Sequence, residues 1–271
     1  MMKAKVLIFS LASVLSVSVL AKKYVSYAPS NDEQQFCLDR NDENFSKELV
    51  NDPHNLMAFR NQGGIGGGGV CWWHSRFQRN ALYLTVFKPE EKRPVISEVE
   101  KIIKKIRKGK EVVVIPGYEN FYEFTSHNRS LVQKELEAWQ VNDGAVKFAW
   151  VKGLSGNNIV KPEELKRMMD ELYEEVEGKN TIAYQKLQIK GITAHAWLVV
   201  NMKQVGDDGY DLEVIDSNEQ YMTRVYKYRL GDTNFTHWFY GDFTPYLEKT
   251  NEMDKIKTVI DEKCRPDKLD S

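Results

Sequence analysis

Gln62-Gly63-Gly64-Ile65-Gly66-Gly67-Gly68-Gly69-Val70-Cys71-Trp72-Trp73-His74-Ser75-Arg76-Phe77 is the most unusual stretch of this 271-residue chain. A run of glycines leads into a cysteine, and from there the apolar positions Trp73, Phe77, Ala81 and Leu84 recur at helical spacing. The pattern predicts a buried helix that opens at Cys71. A thiol at that point meets unpaired backbone N–H groups and the positive end of the helix dipole, and both favour the reactive thiolate. The glycines let further N–H groups approach a developing negative charge with no side chain in the way. The plain alternative is a small buried cysteine at the start of a core helix, so the chemistry depends on finding a base.

A candidate base lies downstream, where the apolar period changes from helical to two. Gly191-Ile192-Thr193-Ala194-His195-Ala196-Trp197-Leu198-Val199-Val200 reads as a strand, with His195, Trp197 and Val199 on one face. The turn Gly206-Asp207-Asp208-Gly209 leads into a second strand through Leu212 and Val214, ending at Asp216-Ser217-Asn218. Two such antiparallel neighbours bring a carboxylate to the imidazole, which fixes its tautomer and stabilises its charged form. Asp216 is the preferred partner, as the first polar group past the apolar run. Asn218, on the same strand face, is the alternative third member.

The remaining segments fall into place around these. Residues 22–60 are polar and irregular, an N-terminal arm with short helices around Phe45 to Val50. Pro94 and Gly109 bracket an amphipathic helix whose stripe is Val95, Val99, Ile102, Ile103 and Ile106. Val112 to Ile115 is a short buried strand. Ser126 is placed to cap a helix through Leu131, Val132, Leu136 and Trp139. Pro162 opens another with Leu165, Met168, Met169, Leu172 and Val176 inward, ending at Gly178. Ile182 to Ile189, Tyr221 to Tyr228 and Trp238 to Tyr240 read as strands, and a last helix runs around Met253 to Ile260. Helices first and an antiparallel sheet second make an α+β chain. Its parts are a helical subdomain over 61–178 and a sheet subdomain over 179–271.

Lys3 and Lys5, the uncharged run Val6 to Leu20 and the small residue Ala21 have the layout of a secretory signal peptide over 1–21, which predicts a secreted or periplasmic protein. No second apolar run of spanning length follows, so the mature protein is expected not to span a membrane. Hydrophobic content of 42% beside 28% charged residues fits a globular domain. The formal charge is −1, or about −3 without Lys3 and Lys5, which is not built to neutralise a phosphate backbone, so nucleic acid is excluded as a partner. In an oxidising compartment three cysteines leave one over. Cys37 and Cys264, in polar surroundings near the two ends, are the expected disulfide, and Cys71 is the free thiol.

A glutamine, glycines and then Cys-Trp, followed much later by His195 and Asp216 on an antiparallel sheet, resemble the active-site signature of the papain-like cysteine peptidase superfamily. The resemblance implies a central helix headed by the nucleophile Cys71, with His195 as base, Asp216 as its orienter and Gln62 lining the oxyanion hole. It also implies no cofactor and a peptide or protein as substrate. Two departures stand out: Gln62 is nine residues before Cys71 with extra glycines between, and Asn61 is a rival for its role. The activity implied is hydrolysis of a peptide or isopeptide bond. Transglutaminase-like acyl transfer to an amine is the second enzyme reading, and an inactive papain-like binding module is the third. No Gly-Lys-Ser/Thr follows the glycine tract, so it is not a nucleotide loop. Cys71 and His74 have metal-like spacing but no second ligand pair, so no metal is expected.

Overall fold

The computed structural model describes residues 28–42, 44–143, 157–190, 194–207, 209–219, 221–247 and 251–265. The expected signal peptide lies outside them. Eight α-helices are seen among these residues: α1 (Glu33–Asn41), α2 (Phe45–Glu48), α3 (Cys71–Leu84), α4 (Ile96–Lys108), α5 (Phe121–His127), α6 (Arg129–Val141), α7 (Pro162–Tyr173) and α8 (Glu252–Lys263). A parallel pair, β1 (Thr85–Lys88) with β2 (Val113–Pro116), sits in the helical part. The main sheet holds β3 (Ala183–Ile189), β4 (Ala194–Val205), β5 (Gly209–Asp216), β6 (Thr223–Tyr228), β7 (Phe235–His237) and β8 (Gly241–Leu247). Their order is β6-β5-β4-β3-β8-β7, antiparallel throughout. The chain is therefore α+β, with an antiparallel sheet following the helices.

α3 is the axis of the fold. It begins at Cys71, and all but one of its fourteen residues are buried, the exception being Arg76. Its apolar side chains share a core with α4 (Val99, Ile102, Ile103, Ile106), α6 (Val132, Leu136, Trp139) and one face of the sheet (Tyr184, Ala196, Leu198, Val200, Ile215). α4 follows its sequence signals: the Glu98 carboxylate accepts the Val95 N–H, and Gly109 ends the helix in the left-handed region at φ 58°. The opposite sheet face, with Leu187, Trp197, Val199, Leu212 and Val214, is covered by Leu165, Met169 and Leu172 of α7.

Packing cuts across the linear order in two places. α7, which precedes Gly178, packs with the strands, whereas α8, at the far end of the chain, packs against α3 through Met253 and Ile256. The arm is also more than surface. Phe45, Leu49, Val50, Leu56, Met57 and Phe59 all enter the main core, because their side chains recur often enough to cover the open flank of α3. Cys37 of α1 is bonded to Cys264 at the end of α8, tying the first helix to the last across 227 positions.

Two local expectations are corrected. Ser126 does not cap a helix but lies inside α5, which Asn120 caps by accepting the Glu123 N–H at 2.9 Å; α6 starts afresh after Asn128. Trp238 to Tyr240 is not a strand. It is the turn between β7 and β8, released by Gly241 at φ 73°, and it leaves Trp238 81% and Phe239 72% exposed.

Candidate active site

The glycine tract is a closed loop rather than a spacer. The Gly69 N–H donates to Gly63 O at 2.8 Å, so the residues between are looped out and Asn61 returns beside Val70. Gly69, at φ 83°, has no room for a side chain: a Cβ there would stand 2.4 Å from the Asn61 amide. Asn61 uses the proximity. Its Oδ1 accepts the Val70 N–H at 2.5 Å and its Nδ2 donates to Asn218 Oδ1 at 3.1 Å, while its backbone N–H donates to Ser217 O at 2.6 Å. One side chain thus links the approach to Cys71 with the end of β5.

The first turn of α3 docks on the start of β4 as a short ladder. The Cys71 thiol faces Ala194 O at 3.9 Å, Trp72 Nε1 donates to His195 O at 3.1 Å, and Ser75 Oγ donates to Ala196 O at 3.3 Å. This register brings Cys71 and His195 together. As residues at the helix start, Cys71 and Trp72 keep backbone N–H groups without a helical carbonyl partner. Cys71 is 6% exposed and is the free cysteine.

On the other side of the ring, His195 Nε2 is 2.6 Å from Asp216 Oδ1, both groups being buried. That leaves Nδ1 for the sulfur. Burial by itself lowers the His195 pKa, but the Asp216 charge, the Cys71 charge and hydrogen bonds to both outweigh it, and the ring is held well above its ordinary value. Burial pushes Asp216 the other way, yet the His195 charge and hydrogen bond, with the Asn218 N–H at 2.8 Å on Oδ1, hold its carboxyl below the usual range. Asn218 stands further from the ring, its Nδ2 being 3.5 Å from Nε2, and its carbonyl oxygen is occupied by Asn61. Cys71, His195 and Asp216 are therefore brought together, with Asn218 beside them.

No family model, curated protein or solved structure matches the chain. A thiol, an imidazole that keeps its proton and a buried carboxylate in series are the parts of a nucleophile, a proton donor and an orienter.

Gln62 is held from α6. Its Oε1 accepts from Arg129 Nη2 on α6 at 2.8 Å, and its amide nitrogen has no partner among the described residues. Trp72 braces the β4 backbone as described, and Trp73 Nε1 donates to Asp143 at 3.2 Å. Trp197 is fully buried on the far sheet face, bonded to Gln185 and packed on Tyr226 and Phe243. The aromatic ring that covers His195 is Tyr240, hidden in the run read as a strand. Its ring lies 5.5 Å from the imidazole, its Oη donates to Asp216 Oδ2 at 3.4 Å, and His237 stacks on it at 4.0 Å. Burial and then the Asp216 charge raise the Tyr240 pKa, so it stays a donor. His74 is buried, bonded through Nε2 to Phe59 O at 2.8 Å, and desolvation lowers its pKa to about 4, which keeps it neutral. Among the described residues no group of three His, Cys, Asp or Glu is placed to hold a metal ion.

Proposed function

We propose that this chain is a papain-like thiol hydrolase of peptide or isopeptide bonds, with Cys71 as nucleophile, His195 as acid and base, and Asp216 as orienter. The observation that carries the reading is the buried series from the Cys71 thiol at the mouth of α3, through the His195 ring, to Asp216 at 2.6 Å. The raised pKa keeps a proton on the His195 imidazole beside the sulfur. The Cys71 sulfur attacks the substrate carbonyl carbon, forming a C–S bond. The oxyanion is met by the Cys71 N–H and by the amide nitrogen of Gln62, whose oxygen is held by Arg129. His195 gives its proton to the leaving amine as the C–N bond breaks, then takes one from the water that releases the acyl group from sulfur. Tyr240 covers the imidazole and keeps water from the ion pair. The Cys37–Cys264 disulfide fits an oxidising compartment, secreted or periplasmic. Among the described residues no helix is long and apolar enough to cross a membrane.

The test is to incubate the protein with a mixed peptide and isopeptide library and search for Cys71-linked thioesters by mass spectrometry after acid quench. Cleavage that disappears in Cys71→Ala, with an acyl adduct on Cys71 in the wild type, is the expected result. Cleavage that survives the substitution, or its absence from both proteins, contradicts the reading. Amide exchange without hydrolysis points to acyl transfer instead.

A further inference from the structure

Beside Asn218 the boundary between the helical and sheet parts opens into a groove of about 410 Å³. Phe59, Arg60 and Arg129 form one wall, and Asn218, Glu219, Tyr221, Met222 and Arg224 form the other. Tyr221 reaches across, its Oη donating to Ala58 O at 2.8 Å. With Asn218 Nδ2 only 3.5 Å from the His195 ring, the groove continues directly from the candidate centre.

The charges in this groove are unequal. Arg224 is paired with Glu219 through two bonds of 2.7 and 3.0 Å, so their charges cancel. Arg129 lies over the Phe59 ring at 5.3 Å and donates to the neutral Gln62 amide, so its cation is held in place without being neutralised. Arg60 is exposed and has no carboxylate partner among the described residues. The remaining surface, Phe59, Tyr221 and Met222, is largely apolar. Two uncompensated guanidinium forks on an apolar floor suit a planar anion carried on a peptide.

Resting on the thiol-hydrolase reading above, we propose that this groove binds a carboxylate of an acidic peptide substrate, with Arg60 and Arg129 as its cationic partners. The carboxylate belongs either to an acidic side chain or to a chain terminus, and both offer the same chemistry.

Protection of Cys71 from iodoacetamide reports peptide binding whether or not a bond is cleaved. The probes are Ala-Ala-Glu-Ala-Ala and Ala-Ala-Gln-Ala-Ala, each as C-terminal acid and as amide. The preferred carboxylate should protect at roughly tenfold lower concentration than its neutral counterpart. Dependence on Glu against Gln assigns the side chain, and dependence on acid against amide assigns the terminus. The preference should shrink to about twofold or less in the Arg60→Gln, Arg129→Gln double variant and be only partly kept in the double Lys variant, which retains the charge without the fork. Equal protection by all four peptides, none included, overturns the proposal, as does a preference unchanged in the Gln variant. A charge preference without any cleavage leaves the groove assigned and the hydrolase reading refuted. Cys71-dependent cleavage indifferent to charge does the reverse.

Discussion

Asp216→Asn is the most informative single change, because it keeps the shape of the side chain and removes the charge facing His195. In the folded protein the imidazole is raised above its ordinary 6.5 and the carboxylate is lowered below 3.8. The sign follows for each group. The His195 contribution to stability is complete below its unfolded pKa and is lost as pH rises through the higher folded value. That of Asp216 is complete above its unfolded pKa and is lost as pH falls through the lower folded value. The pair therefore supports the fold across the interval between the two folded values. A buried hydrogen bond to a charged group is worth about 1.5–3 kcal/mol, and 1.36 kcal/mol is one pKa unit. With the bond at 2.6 Å and both side chains almost fully buried, no discount for solvent applies. Alkylation needs the thiolate and no proton, so losing the charge that holds the His195 proton beside the sulfur should slow the Cys71 reaction near pH 6 by about ten- to a hundredfold, the equivalent of about one to two pKa units. The assay is the rate of Cys71 alkylation by iodoacetamide across pH 4–10 (roughly the span between carboxylate and thiol titration), which needs no substrate. Superimposable profiles for wild type and variant would refute the reasoning.

Other expectations follow from the same contacts. Replacing Cys37 and Cys264 together by Ser opens a link that closes 227 positions and should cost about 2–5 kcal/mol in urea unfolding, with the Cys71 alkylation rate unchanged in the folded state. An equal urea midpoint would show that the link does not constrain the chain. Asn61→Ala orphans the Val70 N–H and frees Asn218, so about 1–2 kcal/mol of stability should go, together with much of the fast alkylation of Cys71. Loss of stability alone would reduce Asn61 to a loop staple. Tyr240→Phe removes one long hydrogen bond to Asp216 and keeps the ring over His195, so the alkylation profile should stay within about half a unit of wild type; a larger displacement would mean that the hydroxyl, not the ring, matters.

The main outline was readable in the chain because it rests on strong local signals. The helix from Cys71 shows in its apolar spacing, the His195 and Asp216 strands in their period of two, and the disulfide in the odd cysteine count. What stayed hidden depends on contacts between distant segments. Nothing local says that Gly63 and Gly69 bond to each other, so the return of Asn61 beside Val70 is not visible in the sequence. Asn61 stood out only as a rival to Gln62, since its three bonds reach across 157 positions to Asn218 and to its own loop. Trp238-Phe239-Tyr240 has the aromatic density of a strand, and only Gly241 directly after it marks a turn. The sides on which α7 and α8 pack are set by which sheet face and which flank of α3 remain uncovered, which periodicity alone does not specify.

The central claim is that the Cys71 sulfur is activated by the His195 imidazole. Because the other two cysteines are bonded to each other, iodoacetamide at about pH 6 has a single thiol to attack, and an ordinary thiol of pKa near 8.5 reacts slowly there. Alkylation of native Cys71 should run roughly a hundredfold faster than that of free cysteine and fall back to the free rate in His195→Ala. A native rate no faster than free cysteine, or one that His195→Ala leaves untouched, contradicts the account.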